Sequence, residues 1–180
     1  MLLIDGNSLI NRAFYALPPL NNKNGVPTQA VYGFTTMLIK AIGDYKPKYI
    51  AVAFDLAAPT FRHKMYDGYK ATRKHMPDEL AVQLPILKQQ LRLMNISVVE
   101  KEGYEADDVI GTLAADNNVM TYIITGDRDS LQLIDDTTRV VLTKRGITET
   151  LVLDEEGLKK EFGLTPVSYT HLRAHETSAH

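Results

Sequence analysis

Four short stretches of this chain join apolar residues directly to carboxylates. They are Leu2-Leu3-Ile4-Asp5, Ile50-Ala51-Val52-Ala53-Phe54-Asp55, Glu105-Ala106-Asp107-Asp108 ahead of Val109-Ile110, and Ile123-Ile124-Thr125-Gly126-Asp127-Arg128-Asp129. A short unbroken apolar run reads as a strand covered on both faces, and such strands belong to parallel sheets with helices on either side. Helical patterns lie between them. Thr28 reads as the N-cap of a helix over 30–42, with Val31, Phe34, Leu38 and Ile42 on one face and Gly43 and Pro47 closing it. Residues 77–94 form a long amphipathic pattern that Pro85 should kink or interrupt, and 105–115 form another helix. Strands are expected at 49–55, 96–99 and 120–125. A hairpin is expected from 139–143 and 149–153 around Lys144-Arg145-Gly146, then a helix that Asp154 caps and Gly163 ends. The alternation predicts an α/β fold with a mostly parallel central sheet flanked by helices.

In open α/β sheets the ligand crevice lies beyond the carboxyl ends of the strands. Asp5, Asp55 and Asp127 each end a different expected strand, so three strands deliver an acid to one edge. Glu105, Asp107 and Asp108 open a helix, where they complement its dipole, and Glu105 and Asp108 share a face. Asp127 and Asp129 are two apart and point the same way if the segment is extended, with Gly126 letting the backbone turn. Any one of these acids alone also reads as a turn or helix cap. Together, seven carboxylates at one edge repel each other unless cations sit among them. Hard oxygen donors suit Mg2+, with Mn2+ as a substitute, and two ions ~4 Å apart suit phosphodiester hydrolysis.

The 180 residues suffice for one domain with a proper core. There is no cysteine, which excludes disulfides, thiolate metal sites and cysteine nucleophiles. No apolar run approaches a membrane span and no leader is read, and the absence of cysteine fits a cytoplasmic protein; a monomer is also expected. The formal net charge of −2 hides a basic segment: 61–75 holds Arg62, Lys64, Lys70, Arg73 and Lys74 against Asp67 alone. Lys70 and Arg73 lie about one helical turn apart with Tyr69 beside them, cations for phosphate and an aromatic ring for an unpaired base. A solvated basic loop is the plainer reading of that segment, as a surface Arg is of Arg12, the weaker phosphate-contact candidate.

Six motifs, IDGNSL (4–9), QAVYGF (29–34), FD (54–55), FRHKMYDGYKATR (61–73), GYEADDVIGTLA (103–114) and TGDRDSLQL (125–133), resemble the 5′-nuclease (flap endonuclease-like) superfamily. Within it they are most similar to the 5′→3′ exonuclease domains at the N-terminus of bacterial DNA polymerases I. The resemblance implies a PIN-like fold with a helical arch over the site. It implies metal-site acids at Asp5, Asp55, Glu105, Asp107, Asp108, Asp127 and Asp129, and catalytic cations at Lys70 and Arg73 touching the scissile phosphate. It also implies supporting DNA contacts from Tyr69, Arg62 and Arg12. The implied substrate is DNA with 5′ flaps, nicks or 5′ single-stranded ends, met in replication and repair. The family continues with further aspartates and a helix-hairpin-helix element, neither found here, and 116–121 is shorter than usual, so weak or no activity is expected of this chain by itself. A standalone 5′ exonuclease, a PIN-like ribonuclease and a non-catalytic nucleic-acid-binding module stay open as alternatives.

The domain is expected to span 1–166. Residues 167–177, VSYTHLRAHET, back-translate onto the mosaic-end adapter of transposase-based sequencing libraries, so 167–180 reads as a foreign tail. Its histidines, His171, His175 and His180, are therefore not read as metal ligands. Removing the tail is expected to leave stability and cation affinity unchanged.

Overall fold

The structure is a computed structural model and describes residues 1–56, 58, 60, 62, 75–115 and 119–171. Six strands form one sheet: β1 (Leu2–Asp5), β2 (Ile50–Ala53), β3 (Ser97–Val99), β4 (Thr121–Thr125), β5 (Thr138–Thr143) and β6 (Thr150–Leu153). Their order is β3-β2-β1-β4-β5-β6, and every neighbouring pair is parallel except β5 with β6. The chain winds outward from β1 through β2 to β3, then returns to the other side of β1 with β4. The order therefore reverses between β1 and β4, and the crevice of such a sheet opens at that reversal.

Successive strand residues face opposite sides, so Leu2 and Ile4 feed one core and Leu3 the other. On the first face they meet α1 (Gly6–Ala16), α2 (Gln29–Tyr45) and α3 (Gln83–Leu93) through Leu9, Ile10, Phe34, Leu38, Leu87 and Leu91. On the second, Leu3, Ile123 and Val140 pack against α4 (Ala106–Ala115), a 3-10 helix (Arg128–Leu133) and α5 (Glu155–Phe162) through Ile110, Leu131 and Leu158. Helices thus cover both faces, which is why the strands read as unbroken apolar runs. Among the described residues no helix is long and apolar enough to cross a membrane.

Several local expectations need correction. No element was expected at 6–16, yet this is α1, with Leu9, Ile10 and Ala13 buried and Asp5 as its cap. Gly43 does not end α2; the helix runs to Tyr45, where Lys46 takes the left-handed conformation (φ 43°) ahead of Pro47. Thr28 makes no side-chain cap. Its hydroxyl donates to the Leu20 carbonyl, and the buried Gln83 instead accepts from the N–H groups of Ala30 and Val31. The 77–94 pattern breaks at Val82, between a single turn (Asp78–Ala81) and α3. Pro85 has no N–H to give the carbonyl four residues back, so continuity is lost ahead of it. The segment is not extended throughout: Asp127 is an extended N-cap, but Asp129 lies in the first turn of the 3-10 helix (Arg128–Leu133).

Residues 166–171 are helical, and Tyr169 is only 7% exposed within the second core. A cut after Pro166 would uncover that packing, so a thermal melt of the truncated chain is expected to fall below that of the full chain, the reverse of the expectation from sequence. The expected arch, with Tyr69, Lys70 and Arg73, lies outside the described residues.

Candidate active site

Each acid at the carboxyl edge of the sheet is fixed by the start of the element that follows or faces it. Asp5 ends β1 and caps α1, its Oδ1 accepting from Ser8 N–H at 2.9 Å, while its Oδ2 accepts from the Thr125 hydroxyl at 2.8 Å. Asp55 follows β2, and its Oδ1 accepts from the N–H of Ala106, the first residue of α4, at 2.7 Å. Its Oδ2 accepts from the Asn7 side-chain amide at 3.0 Å. Asp127 follows β4 and caps the 3-10 helix through Asp129 N–H at 2.9 Å. The cap and cation readings of these acids are therefore not rivals. The caps orient the carboxylates, and the orphan N–H groups of a helix start suit negative charge.

Close approach of the elements makes the edge compact. Gly6 lies where a Cβ would meet the Phe54 ring at 2.4 Å, so only glycine lets α1 start against β2. Gly126 serves contact rather than a turn: a Cβ there would come within 2.8 Å of Ser8 Oγ, which accepts the Gly126 N–H at 2.7 Å.

Asp5, Asp55, Glu105, Asp107, Asp127 and Asp129 line one cavity of about 370 Å³ together with Asn7 and Ser8. Among the described residues no three acids close around a single point. Like charges with fixed caps keep to the walls of the space. Burial pushes the Asp5 carboxyl up to about 6; Ser8 N–H and Thr125 oppose the rise, and the charges of Asp55 and Asp127 add to it. Asp107 is likewise raised, by burial first and then by Asp108 and Glu105.

Asp108 stands apart from the cavity. Arg62 grips it with two 2.7 Å bonds and reaches Glu105 at 3.4 Å, while Asp108 Oδ2 also accepts Glu105 N–H. The Asp108 contact holds Arg62 firmly protonated. Arg12 donates to the carbonyls of Thr143 and Lys144 at 2.9 and 2.8 Å, tying α1 to the end of β5. Sequence reasoning missed Asn7, Ser8 and Thr125 as partners of the acids. Their signal was present in polar residues set beside the strand-end aspartates in the 4–9 and 125–133 motifs.

The donor set is all hard oxygen and negatively charged. It fits divalent cations that keep part of their water shell. A mostly parallel α/β sheet thus gathers such donors at its order reversal. The fold matches bacteriophage T5 5′-exonuclease with bound divalent zinc (TM-score 0.68, 17% identity, 91% of this chain and 61% of that one). It also matches a bacteriophage T5 flap endonuclease in a pseudo-enzyme-product complex with DNA and metal ions (TM-score 0.66, 17% identity, 91% and 60%). The chain belongs to the family described as 5′-3′ exonuclease, N-terminal resolvase-like domain, whose model matches residues 1–163. Among its relatives, DNA polymerase I of Mycobacterium tuberculosis (strain H37Rv) is 45% identical over 179 residues, 97% of this chain and 20% of the relative. DNA polymerase I of Bacillus subtilis (strain 168) is 45% identical over 169 residues, 92% and 19%. The chain thus spans about a fifth of the length of the curated relatives it matches.

Proposed function

We propose that this chain carries most of the acidic centre of a divalent-cation-dependent 5′→3′ exonuclease and flap endonuclease, the N-terminal part of a cytoplasmic DNA polymerase I. The observation that carries the reading is the cavity at the β1/β4 reversal, where acids from three strand ends and from the start of α4 face one another. Two Mg2+ ions, when bound, would neutralise the scissile phosphate and activate water. Asp5, Asp55, Glu105, Asp107, Asp127 and Asp129 would hold them, directly or through water. Asp108 would join them only after exchanging its Arg62 partner. The chain's own part is to present these oxygens in fixed directions and to seat the DNA. Lys70 and Arg73 are assigned to the scissile phosphate and Tyr69 to an unpaired base, from their places in the family's motif. Arg62, next to the acids, and Arg12, one helix away, would support the same strand. Residues 167–180 are read as foreign to this activity from their sequence alone.

The test is cleavage of a DNA duplex with a 5′ flap in magnesium. The protein is this chain through residue 166, continued with the residues that follow the matched region in the Bacillus subtilis relative. Cutting close to the flap junction, with much weaker cutting by the chain alone, is the expected result. Equal or faster cutting of single-stranded RNA would favour a PIN-like ribonuclease instead. Binding without cutting would leave a nucleic-acid-binding module.

A further inference from the structure

Thr125 is the last residue of β4 and is fully buried, yet its hydroxyl faces the acid-lined edge. The register pairs Ile4 with Ile124, so the next residues, Asp5 and Thr125, lie side by side across the order reversal. The Thr125 hydroxyl donates to Asp5 Oδ2 at 2.8 Å, and Thr125 Oγ1 itself accepts the backbone N–H of Asp127 at 3.0 Å. One side chain therefore contacts two acids that arrive on different strands, 122 positions apart in sequence. Valine could make neither hydrogen bond, and serine could make both with a less restricted side chain. Valine has the shape without the hydroxyl, and serine has the hydroxyl without the second branch that restricts χ1.

We propose that Thr125 is a positioning residue for the cation site: it sets the spacing and direction of the Asp5 carboxylate relative to Asp127, so that both can serve the same ions. The inference rests on the cation-site reading above. The hydroxyl does not touch the cation or the substrate. It acts through the carboxylate it holds, as hydrogen-bonded partners of metal ligands do, whose loss typically costs about 10–100-fold in metal affinity. In Thr125→Val the Asp5 oxygen loses its donor and the Asp127 N–H loses its acceptor, so the two acids relax independently.

The test is Mn2+ binding to the 180-residue chain, measured by calorimetry, with circular dichroism confirming equal folding. Thr125→Val is expected to weaken Mn2+ binding by about 10-fold or more. Thr125→Ser, which restores the hydroxyl, is expected to stay within about threefold of the unsubstituted chain. If Thr125→Val does not fold, Thr125→Ala is read against Thr125→Ser in the same way. Unchanged affinity in Thr125→Val, with affinity lost in Asp127→Asn, would overturn the role of Thr125 and leave the cation site standing. Equal losses in the Ser and Val variants would also overturn it, because restoring the hydroxyl would then not restore binding. No binding by the unsubstituted chain, or unchanged binding in Asp127→Asn, would overturn the cation site itself and this inference with it.

Discussion

Asp127→Asn is expected to abolish flap cutting, by on the order of 10³-fold or about 4 kcal/mol of transition-state stabilisation, while leaving the fold intact. The separation follows from geometry. Asp127 Oδ1 accepts the Asp129 N–H that opens the 3-10 helix. Asparagine keeps an oxygen in that position, and asparagine and aspartate cap helices about equally well. What changes is the other half of the side chain, where an amide replaces a charged oxygen on the cavity wall. If Asp127 were only a cap, the substitution would be silent in every assay. If it serves a cation, melting temperature stays put and cutting disappears. Cleavage kinetics on the extended protein, read beside a thermal melt of the same sample, decide between these outcomes.

Asp5→Asn is expected to do the reverse for stability: the cation-free chain should become more stable at neutral pH. The Asp5 carboxyl titrates near 3.8 when unfolded and about 6 in the fold, chiefly because burial disfavours its charge. The folded state therefore holds this proton more tightly than the unfolded state. Its contribution to stability is complete below pH 3.8 and is lost as pH rises through 6, a loss of roughly 3 kcal/mol. Asparagine carries no such penalty. At pH 8 without cations the variant should melt higher by about 5–10 °C, and at pH 4 the two proteins should nearly coincide. Added Mn2+ should then stabilise the unsubstituted chain and leave the variant almost unmoved, because binding to the folded state alone shifts the equilibrium. Melts at two pH values, with and without Mn2+, check both halves. A destabilised variant at pH 8 would mean that Asp5 is held for its hydrogen bonds rather than for a ligand.

The strands and the gathering of acids were legible because both follow from local rules. Strands covered on both faces must be apolar throughout, and the residue that ends each one must lie at the carboxyl edge. Asp5, Asp55 and Asp127 could therefore be placed together without knowing the order of strands. Details that depend on a partner distant in sequence were not legible. Gln83 caps α2 from 53 residues away, which no pattern around Thr28 reveals. Asp5 reads as a strand-end acid with a cap as its plainer alternative, yet the helix it caps, α1, goes unassigned. Gly126 looked like a turn residue, although its role is contact with Ser8, which becomes visible only when β1 and β4 are neighbours. Asp108 shares its helix start with Glu105 and Asp107, but Arg62 draws it out of the cavity lining, and nothing in the spacing of the acids foretells that pairing.

The central claim is that acids from separate strands hold divalent cations in common, and crystals soaked in Mn2+ test it most directly. Anomalous difference maps should place manganese inside the cavity, with oxygens of Asp5, Asp55 and Asp127 around it directly or through one water. Manganese confined to other surfaces, with the cavity filled only by water at saturating concentration, would contradict the account.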